Sequence, residues 1–253
     1  MDHGVSVGPI GGLQDMRSTV ARIVKAEADA ILVHAGIART VDTNGLGLIV
    51  HLSGATRLSS EPNWKARLTS VRDAVRLGAD AVSVHINVGS NHEQAMLENF
   101  ALISEECNDY GMPTLAMMYP RGPAITDEHA FDAVSHAVRL GYEIGADIVQ
   151  TNFTGDVDSF SRVIQSVQVP VIIAGGPRAE TDAKVLQMIH DSIRAGAKGV
   201  SIGRNVFQHE NPAAMILAIS GVVHNGLPAE EAAKLLEGSE KRRTQTERSI
   251  LAP

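Results

Sequence analysis

The sequence contains one cysteine, few aromatic residues and no long apolar run. With Cys107 alone among 253 residues, no internal disulfide can form, which fits the reducing environment of the cytoplasm. Lysine and arginine number 22 against 29 aspartate and glutamate residues, so the formal net charge is −7 and we expect no binding to nucleic acid or to anionic membranes. No apolar segment approaches the roughly 18 residues of a membrane span, and the N-terminus does not read as a signal peptide. We therefore expect a cytoplasmic protein.

The composition otherwise favours a folded α/β protein. Hydrophobic residues make up 44% of the chain and charged residues 20%, which is too apolar for a disordered chain. A length of this order suits one large α/β domain or two small ones. Because no Pro- or Ser-rich linker divides the chain, we expect one domain over 1–237, followed by a polar tail over 238–253.

One connection recurs along the chain. An amphipathic helix ends near a small residue or a glycine, such as Gly78, Gly145 or Gly196, and a β-branched run follows almost at once. This pattern predicts buried parallel strands alternating with helices. The predicted strands cover 30–34, 47–52, 81–86, 114–119, 148–153, 170–174 and 199–203. The predicted helices cover 12–26, 64–77, 92–110, 127–144, 157–166, 181–195 and 212–225.

Seven strands with regular helices between them predict a (β/α)₈ TIM barrel whose first strand is missing or truncated. In this interpretation Asp2, His3 and Gly4 form the loop after that first strand. The active site of such a barrel lies at the carboxyl ends of its strands. The polar or glycine residues expected there are Asp2, His3, His34, His51, Ser53, His85, Tyr119, Arg121, Gln150, Gly175, Gly176, Gly203 and Arg204.

The last two strand ends carry the pattern of a phosphate site. Gly175 and Gly176 follow one strand, and Gly203 and Arg204 follow the next. Glycines let backbone N–H groups approach a phosphate and arginine adds a bidentate donor, in the place where this fold recurrently binds phosphate. The alternative is that both segments are only tight turns.

Two further groups of residues have a functional and a structural interpretation. Tyr119, at a strand end, can donate a proton to a developing alkoxide, or it can be an amphipathic core residue. His34, His51 and His85 each end a strand and could in principle hold zinc. Since no HxxxH motif or His/Cys cluster accompanies them, we favour hydrogen-bonded histidines that shape the site, and we expect neither a metal nor a cofactor.

Taken together, these residues resemble the archaeal-type class I aldolases, a family that includes archaeal fructose-bisphosphate aldolases and 2-amino-3,7-dideoxy-D-threo-hept-6-ulosonate synthases. The latter make a precursor of aromatic amino acids. The resemblance spans residues 1 to about 225. The matching segments are Met1-Asp2-His3-Gly4-Val5-Ser6, Gly8-Pro9, His51-Leu52-Ser53-Gly54, Ser83-Val84-His85, Asn87-Val88-Gly89, Met117-Met118-Tyr119-Pro120-Arg121-Gly122, Thr154-Gly155-Asp156, Ala174-Gly175-Gly176-Pro177 and Gly203-Arg204-Asn205-Val206-Phe207-Gln208-His209. Two of them, Met117 to Gly122 and Gly203 to His209, look more like the heptulosonate synthases.

The resemblance implies Schiff-base chemistry on a small phosphorylated ketose, in which a lysine attacks the ketose carbonyl. Asp2 would match the family's acidic residue near that lysine, and Tyr119 its acid/base tyrosine. His3, His51, Ser53 and Arg121 would join the glycine loops and Arg204 in binding substrate and phosphate. The resemblance also implies a large ring-shaped homo-oligomer, with a decamer as one form.

The sequence departs from the family at the residue that carries the chemistry. The family has a segment like Lys-Thr-x-Tyr-Thr-Gly-Asp, whereas this chain has Gln150 in place of the lysine and Phe153 in place of the tyrosine. An amide nitrogen is not nucleophilic and cannot form an imine. None of the six lysines (25, 65, 184, 198, 234 and 241) is an obvious replacement. We therefore expect weak or no Schiff-base turnover.

Three explanations for Gln150 stay open at this point. It could be an engineered substitution that traps ligand, a natural divergence in which the pocket is used differently, or part of a metal-assisted aldol site. The leading hypothesis is an aldolase or transaldolase closest to the heptulosonate synthases. The alternatives are a fructose-bisphosphate aldolase and a non-catalytic sugar-phosphate-binding homologue.

Overall fold

A computed structural model describes residues 1–26 and 28–236, so the tail predicted over 238–253 lies outside the described residues. Seven parallel strands form one curled sheet in the order β1-β2-β5-β6-β7-β8-β9, and β3 and β4 form a separate antiparallel pair. The strands are β1 (Ala30–His34), β2 (Gly47–His51), β3 (Ser53–Gly54), β4 (Ala66–Arg67), β5 (Ala81–Val88), β6 (Thr114–Pro120), β7 (Ile148–Thr151), β8 (Val171–Ala174) and β9 (Gly199–Ser201).

Helices alternate with these strands and cover the outside of the sheet. They are α1 (His3–Val7), α2 (Met16–Val24), α3 (Ala35–Ala38), α4 (Val71–Arg76), α5 (Glu93–Tyr110), α6 (Phe131–Glu143), α7 (Val157–Gln165), α8 (Asp182–Arg194), α9 (Arg204–Phe207) and α10 (Pro212–Asn225). Residues 229–236 are helical as well. None of the helices in the described part of the chain is long and apolar enough to cross a membrane.

The architecture is the predicted TIM-barrel type with seven strands. All seven predicted parallel strands are present, with ends displaced by at most two residues. Within the described residues β1 pairs only with β2 and β9 only with β8, so no ladder joins β1 to β9 and the barrel is open between them. The Met1 amino group donates a hydrogen bond to the carbonyl of Leu32, which places the start of the described chain against β1.

Several local predictions were wrong. Asp2 to Gly4 do not form a loop: Asp2 is the N-cap residue of α1, and Gly8, at φ +78°, ends that helix. Two valines and a glycine in five residues give the segment little helix propensity, so sequence patterns do not reveal it. The helix predicted over 64–77 begins only after Ser70, whose side chain accepts a hydrogen bond from Asp73 N.

The helix predicted over 12–26 is also shorter than expected. Asp15 caps α2 by accepting a hydrogen bond from the backbone N–H of Ser18. Gly12, at φ +81°, lies outside the helix and touches the Phe207 backbone so closely that a Cβ would lie 2.0 Å from that carbonyl oxygen. The sequence pattern also missed α3, α9, β3 and β4, which are four residues long or shorter.

Side chains alternate along each strand between the helices and the barrel interior. Val33, Val50 and Val84 belong to the main core, which includes the buried faces of the helices. The residues between them point to the interior, where Leu32, Leu115, Met117 and Tyr119 form a second, smaller cluster. Apolar side chains form a cluster on this interior face, and His51, His85 and Gln150 lie on the same face toward the carboxyl ends of their strands.

The helices bury the outward strand residues with regular apolar stripes. In α5, Met96, Phe100, Ile103 and Cys107 are all buried, at spacings of four, three and four residues. Cys107 therefore packs as a small hydrophobic residue of this stripe. Gly111, in the left-handed conformation, ends this helix before β6.

Close approach of two loops at the carboxyl ends of β5 and β6 requires glycine. A Cβ on Gly122 would lie 1.6 Å from the carbonyl oxygen of Gly89, and backbone atoms cannot move away as a flexible side chain would. The N–H of Arg121 donates to the Val88 carbonyl at 2.8 Å, so this contact also fixes Arg121.

We expect Gly122→Ala to lower the free energy of unfolding by at least about 2 kcal/mol, because overpacking against a rigid backbone costs this order. Gly36→Ala is the matched control, since a Cβ on Gly36 in α3 meets no atom within 4 Å and alanine favours a helix. Urea denaturation of the two variants and the parent measures both effects. Equal stability of Gly122→Ala and the parent would contradict the steric argument.

Candidate functional site

A cavity of about 1130 Å³ opens at the carboxyl ends of the strands and extends into the barrel interior. Every residue proposed from the sequence for catalysis or substrate binding lines it. They are Asp2, His3, His51, Ser53, Tyr119, Arg121, Gln150, Gly175, Gly176, Gly203 and Arg204. His34 and His85 line it too. The structure therefore brings the eleven residues into one site, although it does not test the role of each.

Tyr119 and Gln150 form the pair at the centre of the site. Gln150 lies beside Met117 in the register of β6 and β7, and Met117 and Tyr119 share the interior face of β6. The Gln150 Nε2 donates a hydrogen bond to the Tyr119 Oη at 2.8 Å. Burial raises the pKa of Tyr119, and the negative charge of Asp2 raises it further. The phenol is therefore neutral at physiological pH and keeps its proton for donation.

Two histidines of the neighbouring strands, His51 buried and His85 half-buried, are held by neutral partners. His51 Nδ1 lies 2.7 Å from the Ser83 Oγ, and the His85 Nε2 donates to Asn87 Oδ1 at 2.8 Å. Burial lowers the pKa of His51 to about 4 and that of His85 to about 3. Both rings are thus neutral near pH 7, and the His85 ring packs 4.9 Å from the Tyr119 ring.

Asp2 supplies the negative charge of the site. Burial disfavours ionisation of this carboxylate, but the neighbouring His3 ring, the Met1 amino group and His51 outweigh that effect and hold its pKa well below the usual range. His3 Nδ1 lies 3.3 Å from Asp2 Oδ1. Asp2 is therefore a permanent anion that orients positive or hydrogen-bonding groups, and it is a weak base.

The two glycine loops lie side by side because Asn205 joins them. Its Nδ2 donates to the carbonyls of Gly175 and Pro177 at 2.9 and 3.2 Å, and its Oδ1 accepts from Ala179 N at 2.8 Å. A Cβ on Gly203 would lie 2.8 Å from His3 Cε1, so the glycine leaves room for the His3 ring of α1 beside this loop.

Gly175 and Gly176 differ in what they offer. The N–H of Gly175 already donates to the Ser201 carbonyl at 3.3 Å, and a Cβ there would lie 2.9 Å from Ile202. Gly175 thus serves close packing of the loop. Gly176 has φ +62°, where glycine is favoured, and a Cβ there would meet nothing within 4 Å, so its backbone is open to the cavity.

Unpartnered polar atoms concentrate in this cavity. Among residues 1–26 and 28–236, four buried side-chain nitrogen or oxygen atoms have no well-aligned hydrogen bond: His3 Nδ1, Gln150 Oε1, His190 Nδ1 and Arg204 Nε. Two of them still face a neighbouring carboxylate, because His3 Nδ1 lies 3.3 Å from Asp2 and His190 Nδ1 lies 3.4 Å from Asp191. All but the His190 atom belong to residues that line the cavity. Leaving a buried polar atom without a partner costs about 1–3 kcal/mol of stability, so such atoms are rare in folded proteins. Where they line a cavity, a bound ligand can supply the missing hydrogen bond.

Positive charge accumulates at the mouth of the site although the whole chain is acidic. Burial lowers the pKa of Arg204, and the nearby charges of Arg57 and Arg121 lower it further. Arg121 is held by Glu128 through two hydrogen bonds, from Nε at 2.7 Å and from Nη2 at 2.6 Å. Guanidinium groups that repel one another beside a buried pocket are stabilised by an anion.

Sequence reasoning missed three residues of the site. Arg57 and Lys65 lie in the segment between β3 and β4, which the helix prediction over 64–77 partly obscured. Asn205 follows Arg204 in a matching segment, but its part in joining the two loops depends on contacts 26 to 30 residues away. The run of turn-forming residues from Ser59 to Asn63 was the available signal that this segment is a loop.

The histidines at the strand ends form no metal centre with other residues that the structure describes. In the described part of the chain no three His, Cys, Asp or Glu side chains are arranged to hold a metal ion. His34 Nδ1 instead lies 3.1 Å from the His51 carbonyl, and His51 and His85 have the partners given above. The metal-assisted explanation for Gln150 therefore gains no ligand cluster from these residues.

Comparison with known proteins gives consistent matches. Residues 1–209 match the family model described as DeoC/LacD family aldolase. The chain is 47% identical over 234 residues to a 2-amino-3,7-dideoxy-D-threo-hept-6-ulosonate synthase of Halobacterium salinarum, covering 92% of this chain and 88% of the relative. It is 39% identical to a 2-amino-4,5-dihydroxy-6-oxo-7-(phosphonooxy)heptanoate synthase of Streptomyces griseus, covering 89% and 83%.

Solved structures agree with the fold. An archaeal fructose-1,6-bisphosphate aldolase, whose catalytic Lys is covalently bound to the carbinolamine intermediate of the substrate, superposes with a TM-score of 0.85. It is 30% identical, and the match covers 88% of this chain and 91% of that structure.

The neutral buried histidines predict a stability that depends on pH. An unfolded chain titrates its histidines near pH 6.5, so between pH 6.5 and about 4 the unfolded state binds more protons than the folded state. The free energy of unfolding is therefore highest above pH 6.5 and falls as the pH decreases. By pH 5 the loss is about 2 kcal/mol for each of His51 and His85.

Urea denaturation at pH 7 and pH 5 measures this loss. We expect His51→Gln to be less stable than the parent at pH 7 but to lose about 2 kcal/mol less between the two pH values. His136→Gln, which removes an exposed imidazole on α6, is the control and keeps the parent's loss. An unchanged loss in His51→Gln would show that this ring does not stay neutral in the folded protein.

Proposed function

Because the chain belongs to the DeoC/LacD family of aldolases, we propose that it carries out aldol or transaldol chemistry on a phosphorylated ketose. The observation that carries the proposal is a pair of unpartnered atoms on one cavity, the acceptor Gln150 Oε1 and the donor Arg204 Nε. A ketose phosphate presents a hydroxyl to the first and an anion to the second. The Tyr119 hydroxyl lies beside the acceptor and can polarise the ketose carbonyl.

The similarity to heptulosonate synthases favours a substrate of that type and a place in aromatic amino-acid biosynthesis. The alternative of a fructose-bisphosphate aldolase rests on the solved structures. We further propose a cytoplasmic homo-oligomer that needs no cofactor. The single cysteine and the acidic composition support the location, and the family resemblance supports the ring-shaped assembly.

Phosphate recognition is tested by calorimetric titration of dihydroxyacetone phosphate and unphosphorylated dihydroxyacetone. We expect micromolar affinity for the phosphate ester alone, and a loss of about 10- to 100-fold in Arg204→Met, because a hydrogen bond to a charged group contributes about 1.5–3 kcal/mol. Arg72→Met, on the exposed face of α4, is the control and keeps the parent's affinity. Equal affinity for both ligands, or an unaffected Arg204→Met, would contradict the phosphate site.

A second candidate is a sugar-phosphate-binding protein without turnover, which Gln150 itself favours. Gln150→Lys separates the candidates, because lysine has nearly the same length and brings a primary amine next to Tyr119. If the site is otherwise that of an aldolase, this variant cleaves fructose 1,6-bisphosphate at least about tenfold faster than the parent, which corresponds to a barrier lower by about 1.4 kcal/mol. Release of the aldehyde product measures the rate. Gln150→Met has similar length but no amine, so it shows no such gain. No cleavage in either the parent or Gln150→Lys, with binding intact, would favour the binding protein.

A further inference from the structure

An imine-forming aldolase needs a primary amine that reaches the ketose carbonyl, and Gln150 does not provide one. The described residues contain five lysines, of which Lys65, Lys184 and Lys198 line the cavity. Lysines 25 and 234 are exposed elsewhere on the surface. Among the lysines that the structure describes, the choice therefore lies between the three that line the cavity.

Two of these three are placed unfavourably. Lys184 is on α8 with its side chain 65% exposed, and its ammonium group forms an ion pair with Glu180, which holds the nitrogen away from the site. Lys198 immediately precedes β9, so it enters the cavity from the amino ends of the strands, opposite to Tyr119. Its backbone N–H donates to the Val171 carbonyl at the start of β8.

Lys65 lies on the segment that connects β3 and β4 across the carboxyl ends of the strands. Three contacts fasten this segment: Asn87 Nδ2 donates to the Asn63 carbonyl at 2.8 Å, Trp64 stacks on His92, and the Lys65 backbone N–H points to the Met96 sulfur at 3.5 Å. Asn87 also holds His85, so the lysine segment and the Tyr119 surroundings share one anchor.

The Lys65 side chain is half-buried, and its Nζ donates to the Pro62 carbonyl at 2.8 Å. Among the described residues no carboxylate forms an ion pair with it. The contact with Pro62 uses one N–H, which a neutral amine also has, so the nitrogen can keep a free lone pair.

The Lys65 ammonium interacts electrostatically with charged and titratable residues of the site. Its positive charge contributes to the lowered pKa values of His51 and His85, while Asp2 stabilises its protonated form. Burial and the charge of Arg121 nevertheless lower the pKa of Lys65. A larger share of neutral amine near pH 7 follows, which is the condition for nucleophilic attack.

We propose that Lys65 is the amine that forms the imine with the ketose carbonyl in this protein. This inference rests on the proposed aldol function. The Lys65 Nζ lone pair attacks the carbonyl carbon, and the carbonyl oxygen takes the proton of the Tyr119 hydroxyl. The Tyr119 phenolate then takes the extra proton from the new C–N nitrogen, which gives a neutral carbinolamine and restores the phenol. Tyr119 next protonates the carbinolamine hydroxyl, which leaves as water to give the iminium, and the phenolate regains a proton from solvent. Amine, ketone and one proton are thereby converted into iminium and one water, without an oxidant or reductant.

Borohydride reduction tests the proposal directly on the unmodified protein. The protein is incubated with dihydroxyacetone phosphate at pH 7.5, reduced and digested, and the peptides are mapped by mass spectrometry. We expect the adduct on the peptide that contains residue 65. Lys65→Met loses the adduct and Lys184→Met keeps it.

Lys65→Arg separates an amine from a cation that merely binds phosphate. Arginine preserves the positive charge but forms no imine under these conditions, so we expect binding within about threefold of the parent, less than 1 kcal/mol, and no adduct. The same variant shows that loss of the adduct does not come from unfolding.

An adduct on a different residue, or none in the parent protein, would overturn the proposal. Calorimetry on the same preparation shows whether the proposed function fails with it. If dihydroxyacetone phosphate still binds and depends on Arg204, only the role of Lys65 is wrong. If it does not bind, the proposed function is wrong as well.

Discussion

Pairing of parallel strands in register, with side chains alternating at a period of two, is the constraint on which the rest of this structure depends. Parallel pairing brings all seven carboxyl ends to one rim, and the alternation decides which residues at that rim face inward. His51, His85, Tyr119 and Gln150 reach one cavity because each is on the inward face of its strand. A shift of one residue in any of these strands would turn its polar group into the helix layer, where it would be buried without a partner.

The same geometry divides the site into two electrostatic regions. Deep in the barrel, burial keeps His51, His85 and Tyr119 neutral, so these groups act through hydrogen bonds. At the mouth, Arg57, Lys65 and Arg204 accumulate positive charge on an acidic chain. A ligand with one uncharged end and one anionic end fits this division.

Much of this arrangement was predictable and some was not. All seven parallel strands were predictable, because each is a β-branched run that follows a short turn at the end of a helix. With only seven such runs, a barrel lacking its first strand was predicted, and the sheet is open between β1 and β9. The eleven residues proposed for the site could be chosen because strand ends are local features of the sequence, and all eleven line the cavity. Helices were predicted too long where capping by Asp15 or Ser70 sets their first turn, and α1 was missed because its five residues have little helix propensity. Lys65 and Asn205 were missed because their importance arises from contacts with residues distant in the chain.

The sequence by itself determined the fold class, the identity of the rim residues and the chemical departure at Gln150, because periodicity, glycine-rich turns and residue type are written locally. Only the tertiary structure decided which polar atoms remain without partners, which histidines are neutral, and which lysine faces the cavity from the side of Tyr119. These properties depend on burial and on distances between separate strands and loops. The segment between β3 and β4 illustrates the difference: its residues read as a loop and a helix start, but folding over the barrel places Lys65 beside the site.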